Sequence, residues 1–161
     1  MKKLLFSAVL VSMSMTAITF TSCEKDDDDD EPTTQTQTKA TLYERLGGID
    51  AITAVTDQFL ANVATNNEIN GRFMATVSDS SRLRLLKFNL IDQICAAAAG
   101  PCQYKGLSMI EAHQGMNITE AEFNSLVGDL VEALNTFNVP ATEQNELLTA
   151  LAALQPDIVG Q

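Results

Sequence analysis

The chain has 161 residues and a formal charge of −11, from 21 acids against 10 bases; Trp is absent, His occurs once and Cys three times. From Thr41 onward 14 acids stand against 6 bases, so the folded part is itself acidic and repels phosphate backbones, which argues against nucleic acid as a partner. One His and no CxxC pair argue equally against a structural zinc site, and any Ser-His-Asp scheme would have to use His113.

Residues 1–22 begin with Lys2 and Lys3, continue as an apolar run from Leu4 to Leu10, and end in small residues before Cys23. That is the pattern of a secretory signal peptide. Ser and Thr break the apolar stretch, which argues against a permanent membrane helix. Thr21-Ser22-Cys23 resembles the lipobox of bacterial lipoproteins, with Phe20 where Leu is usual; the resemblance implies lipidation at Cys23. Residues 23–40 carry Glu24-Lys25-Asp26 and a run of acids to Glu31, then a Pro/Thr/Gln tract. Like charges self-repel and Thr/Gln-rich sequence has little to bury, so this reads as a lipidated, disordered acidic tether. The expected location is the cell envelope, in the outer membrane of a Gram-negative bacterium, with the Lys-Asp-Asp placement resembling a surface-export signal.

Residues 41–161 form one domain, too short for two cores. Apolar residues recur at helical spacing and nowhere alternate with period two over a useful length. Ile49, Ile52, Val55, Phe59 and Val63 form one stripe. Leu83, Leu86, Leu90 and Ile94 form a second, widened by Leu85, Phe88 and Ile91. Phe123, Leu126, Leu130, Leu134 and Phe137 form a third, and Leu147, Leu148, Leu151 and Leu154 a fourth. Gly47-Gly48, Gly100-Pro101 and Asn138-Val139-Pro140 break the helices, while Thr119 to Glu122 is a capping box. A loop and one short helix around Ser108 to His113 fill the interval. The fold class is all-α, with four substantial helices and short extras.

Three segments carry more than periodicity. Leu42-Tyr43-Glu44-Arg45-Leu46-Gly47-Gly48 opens the domain, Gly100-Pro101-Cys102-Gln103-Tyr104-Lys105-Gly106 follows the third long stretch, and Met109 to Thr119 contains His113-Gln114-Gly115 and Ile118. In order and spacing they resemble the LYxxLGG, GGPxxYxG and MxxxHxGxxI motifs of group I truncated haemoglobins, over about residues 41–159. The resemblance implies a two-over-two helical sandwich holding one haem b, with His113 as the proximal iron ligand. A neutral imidazole is a good iron ligand and leaves the opposite face open to a gas. The absence of CxxCH argues against covalent c-type attachment.

Further positions follow from the resemblance. Phe73 corresponds to the Phe that packs on the haem, and Tyr104 to the Tyr near the propionate edge, with Lys87 or Lys105 as charge partners. Met109, Met116, Ile118, Phe123 and Leu126 correspond to the proximal and lateral walls. On the distal side, Phe59 is followed by Leu60 where relatives carry a Tyr donor. Leu86 and Leu90 also fall at distal positions. Leu has no hydrogen to donate, so the polar candidate is Gln93, which shares the stripe of Leu86 and Leu90, with Asn89 second.

Setting Cys23 aside, Cys95 and Cys102 remain. An exported chain with an even remainder is expected to pair them. The implied function is reversible binding of a diatomic gas (O2, NO or CO) at the envelope. Its enzymatic version is nitric oxide dioxygenation with an external reductase, since no flavin or nicotinamide site is recognisable. Two alternatives stay open: a haem carrier or scavenger lipoprotein, and a haem-free helical interaction module.

Overall fold

The computed structural model describes residues 39–161. The expected signal peptide, the lipid-bearing Cys23 and nearly all of the tether lie outside the described residues.

Among the described residues seven helices follow in order: α1 (Leu42–Arg45), α2 (Gly48–Thr65), α3 (Asn70–Val77), α4 (Ser80–Ala97), α5 (Met109–His113), α6 (Glu120–Thr136) and α7 (Ala141–Ala152), then a 3-10 turn at Gln155–Asp157. Among the described residues there is no strand, only an isolated parallel bridge between Ile118 and Val159. Local chemistry sets the helix starts. Thr41, Ser108 and Thr119 each close a reciprocal capping box with the Glu three residues on. Asp79 caps α4 by accepting from the Ser81 and Arg82 amides. Those amides, Arg82 first, hold the Asp79 carboxyl below its ordinary range.

Helix α2 lies against both α6 and α4, α4 meets α7, and α6 meets α7. That is the expected two-over-two arrangement, with α1 bridging α2 to α7 and α3 wedged against α2 and α4. Helix α5 packs closely on no other helix, and α4 and α6 do not pack closely on one another. One core joins the four long helices, with Val63, Cys95, Leu134 and Leu147 almost inaccessible and Ile52, Val55, Phe59, Ile91, Ile94 and Leu130 around them. Each such side chain contributes about 1.5–3 kcal/mol on burial, against about 0–1 kcal/mol for an exposed ion pair, so the core sets the stability. Four members of the expected stripes face solvent instead. Ile49, Leu85, Phe88 and Phe137 are exposed, Leu85 at 61% and Phe88 at 55%. α4 offers one side to α2, and 85 and 88 lie on the turn of the helix that neither neighbour covers.

The opening motif and the Gly-Pro motif meet in space. The amide of Tyr43 donates to the carbonyl of Ala98 at 2.8 Å, and its hydroxyl accepts from the Ile49 amide at 3.1 Å. A Cβ on Gly100 would stand 2.5 Å from the Tyr43 ring and 2.7 Å from Cys95 Sγ, so glycine is required where the tyrosine docks on the end of α4. That helix ends in a Schellman motif. Gly100 N donates to Cys95 O at 2.8 Å and Ala99 N to Ala96 O at 3.1 Å, with Ala99 left-handed at φ +58°. A disulfide joins Cys95 to Cys102 across this turn, with Cα atoms 5.7 Å apart.

Candidate functional site

His113 is the last residue of α5, and the short helix is built to present it. Ser108 Oγ accepts from the Glu111 amide at 3.3 Å, and Glu111 Oε2 accepts from the Ser108 hydroxyl at 2.7 Å and the Ser108 amide at 3.1 Å. These bonds, the hydroxyl first, hold the Glu111 carboxyl below its ordinary range. Upstream, the Tyr104 hydroxyl donates to Leu107 O at 2.8 Å and lies over Gly106, where a Cβ would come within 2.3 Å of it. Partial burial raises the phenol above its ordinary value.

The imidazole of His113 is half-buried, with Nδ1 2.8 Å from the carbonyl of Met109. A carbonyl only accepts, so Nδ1 carries the hydrogen, and in the neutral ring the lone pair is on Nε2. No protein partner occupies Nε2 among the described residues. The same bond fixes the ring against its own helix.

The expected wall residues divide into three groups. Phe59 is buried in the core, and Phe73, Leu90 and Leu126 pack half-buried against it. Leu60, Leu86, Met109, Met116 and Ile118 are half-buried outside that core, and Phe123 is buried but also outside it. They belong to α2, α3, α4, α5, α6 and the α5–α6 connection. Gln93 on α4 reaches α5, its amide donating to Met109 Sδ at 3.3 Å.

The residues expected at the propionate edge make other contacts in this structure. Lys87 Nζ lies 2.5 Å from Asp57 Oδ1 on α2, because α2 packs beside this side of α4. Lys105 is exposed and makes no ion pair among the described residues. Tyr104 spends its hydroxyl on Leu107, which makes it the closure of the loop before α5. The structure also shows what sequence reading missed: Tyr43 as the plug between Gly48 and Gly100, and Arg72, which holds the segment after His113. Neither follows from a local pattern, because both act on residues far away in the chain.

The donor set fits a haem. It offers one neutral imidazole with an open Nε2 and a surround of Leu, Met, Phe and Ile. Among the described residues no group of three or more His, Cys, Asp or Glu could hold a bare metal ion. An apolar cavity of about 190 Å³ lies in the core between Leu46, Ile52, Val55, Ile94, Leu134 and Leu147 and is lined by none of these site residues.

Comparison with known proteins agrees with this geometry. The model of the bacterial-like globin family matches residues 41–159. The group 1 truncated haemoglobin of Mycolicibacterium paratuberculosis is 34% identical over 119 residues, covering 74% of this chain and 84% of that protein. The crystal structure of the truncated haemoglobin of Tetrahymena pyriformis in its Fe(III) form superposes with a TM-score of 0.69 at 26% identity, covering 76% of this chain and all of that one. The 2/2 haemoglobin of Synechococcus, solved in the cyanomet state with covalently attached haem, gives 0.67 at 28% identity, covering 74% of this chain and 98% of that one. Fold and matches together are those of a truncated, two-over-two globin. The chain belongs to the bacterial-like globin family.

Proposed function

We propose that this globin holds one haem b through His113 and reversibly binds a diatomic gas. The observation that carries the reading is the Met109 O–Nδ1 hydrogen bond, which fixes the tautomer and leaves Nε2 of the only histidine free. When bound, the haem would supply an iron able to take up O2, NO or CO. The chain's own part is to orient the imidazole, to exclude water with Phe73, Leu86, Leu90 and the α5–α6 wall, and to supply distal polarity through Gln93. The sequence has no CxxCH, so attachment is non-covalent at the vinyl positions served by that motif. The partner for any turnover as a nitric oxide dioxygenase is an external reductase.

The same reading places the globin at the cell envelope, exported by residues 1–22 and anchored to a membrane through lipid on Cys23. Support comes from the Cys95–Cys102 disulfide, which persists in an oxidising compartment.

The test is an absorption spectrum of the protein titrated with haemin, beside His113→Ala. The expected outcome is a Soret band that saturates at one haem per chain, shifts on reduction and carbon monoxide, and collapses in the variant. Failure of the wild type to bind stoichiometrically would return the haem-free interaction module. Rapid loss to an apo-acceptor would return the carrier.

A further inference from the structure

The segment joining His113 to α6 has no regular structure of its own. Gly115 at φ +77° and Asn117 at φ +49° are both left-handed, so the Met116 peptide between them is fixed by what it bonds to. Its amide donates to the carbonyl of His113 at 3.0 Å. Its carbonyl accepts from Nη1 of Arg72, on α3, at 2.7 Å. The same guanidinium forks onto Glu122, Nε to Oε1 at 2.7 Å and Nη2 to Oε2 at 3.1 Å. Glu122 in turn accepts from the amide and hydroxyl of Thr119, both at 2.9 Å, at the start of α6. One side chain thereby ties three things together: the turn that begins at His113, the cap of α6, and α3, where the next residue is Phe73.

We infer that Arg72 is a positioning residue for the iron ligand, setting through the Met116 carbonyl and Glu122 the angle at which the His113 imidazole meets the haem. This rests on the haem reading above and adds a determinant to it. Guanidinium chemistry is required, because two coplanar acceptors on Glu122 and a third on Met116 match a planar fork with several N–H groups. A lysine ammonium satisfies such a set poorly. Other contacts on the segment come from the chain's last residues, with Gly160 N donating to Ile118 O at 2.9 Å and Asn117 N to Gln161 O. These fix residues 117 and 118 but leave the Met116 carbonyl to Arg72.

The test compares Arg72→Met, Arg72→Lys and Arg45→Met in the haem-loaded protein. Arg45 makes a comparable forked ion pair, bridging α1 to Glu143 and Glu146 of α7, with no contact to α5. The readouts are the iron–histidine stretching band of the ferrous protein and the rate of haem transfer to an apo-acceptor, with the thermal midpoint as the structural control. Arg72→Met is expected to shift and broaden the band and to speed haem loss roughly tenfold, the scale of one charge-assisted hydrogen bond. Arg72→Lys should recover part of both effects, and Arg45→Met should lower the midpoint while leaving the band in place. An Arg72→Met protein with the wild-type band and wild-type loss rate would overturn the inference alone. A wild type with no haem band would overturn the haem reading and the inference with it.

Discussion

Ala99 occupies the C′ position of the α4 Schellman motif at φ +58°, where the common residue is glycine. A Cβ in this left-handed region costs about 1–2 kcal/mol. Ala99→Gly removes that cost. Ala99 is exposed, so no core packing is lost, and the Gly100–Cys95 and Ala99–Ala96 hydrogen bonds run through backbone atoms that the substitution leaves in place. Against the gain stands the added freedom of the unfolded chain, about 0.4–1 kcal/mol. The net is a stabilisation of about 0.5–1 kcal/mol. For a domain of this size that raises Tm by roughly 2–5 °C. The assay is a thermal melt of both proteins in the same haem and disulfide state, checked by denaturant midpoint at constant m. An unchanged or lowered midpoint in both would refute the reasoning, since it would mean that the alanine is unstrained at this φ.

Gly100→Ala, one residue on, has the opposite sign. Its Cβ would meet the Tyr43 ring, Cys95 Sγ and the Cys95 carbonyl at 2.5–2.8 Å, and about 1–3 kcal/mol of stability should be lost on the same melts. Replacing Cys95 and Cys102 together by Ala reopens a loop of sequence separation seven. The loss expected from chain entropy is about 2–3 kcal/mol, and a denaturant midpoint that also ceases to respond to reductant checks it. Glu122 gives a pH signature. Its carboxyl is held down to about 2 from 4.5, first by Arg72 and then by Thr119. A depressed folded-state value means stability that is present above the unfolded pKa and is lost as pH falls from about 4.5 towards 2. Glu122→Gln should flatten the acid limb of the stability profile in that window, and an unchanged limb would assign it to other carboxylates. Gln93→Leu removes the amide that the proposed function assigns to the distal side, which in this structure donates to Met109 Sδ. With a hydrogen bond to a partly charged acceptor at about 1.5–3 kcal/mol, oxygen release should quicken by roughly tenfold to a hundredfold, measured by stopped flow.

Long helices and their ends were legible because their determinants are local. The α2, α4, α6 and α7 stripes, the box at Thr119, and the stops at Gly100-Pro101 and Pro140 all act within a few residues. Helix α3 was not legible. None of its side chains is fully buried, it carries Gly71 and two flanking Asn residues, and its one strong apolar anchor, Phe73, sets no period. The apolar stripe on α4 is wider in the sequence than the face the helix buries, since periodicity reports a face but not which neighbour covers it. His113 stood out as a residue type in a motif. Its tautomer did not, because that depends on a carbonyl four residues back in a formed helix turn. Lys87 and Arg72 show the limit from the other side: each is a cation whose partner, Asp57 or Glu122, lies 30 or 50 positions away in the chain.

Helix α5 packs closely on no other helix, and Gln93 reaches it from α4 through Met109. A five-residue helix with no fully buried residue has little cooperative stability of its own. Its amides should therefore exchange with solvent through openings far smaller than global unfolding, as a separate local unit. Haem that binds only the closed form of α5 takes up part of its binding free energy in ordering that unit. The hydrogen-exchange protection of residues 109–116 is then expected to rise when haem is bound.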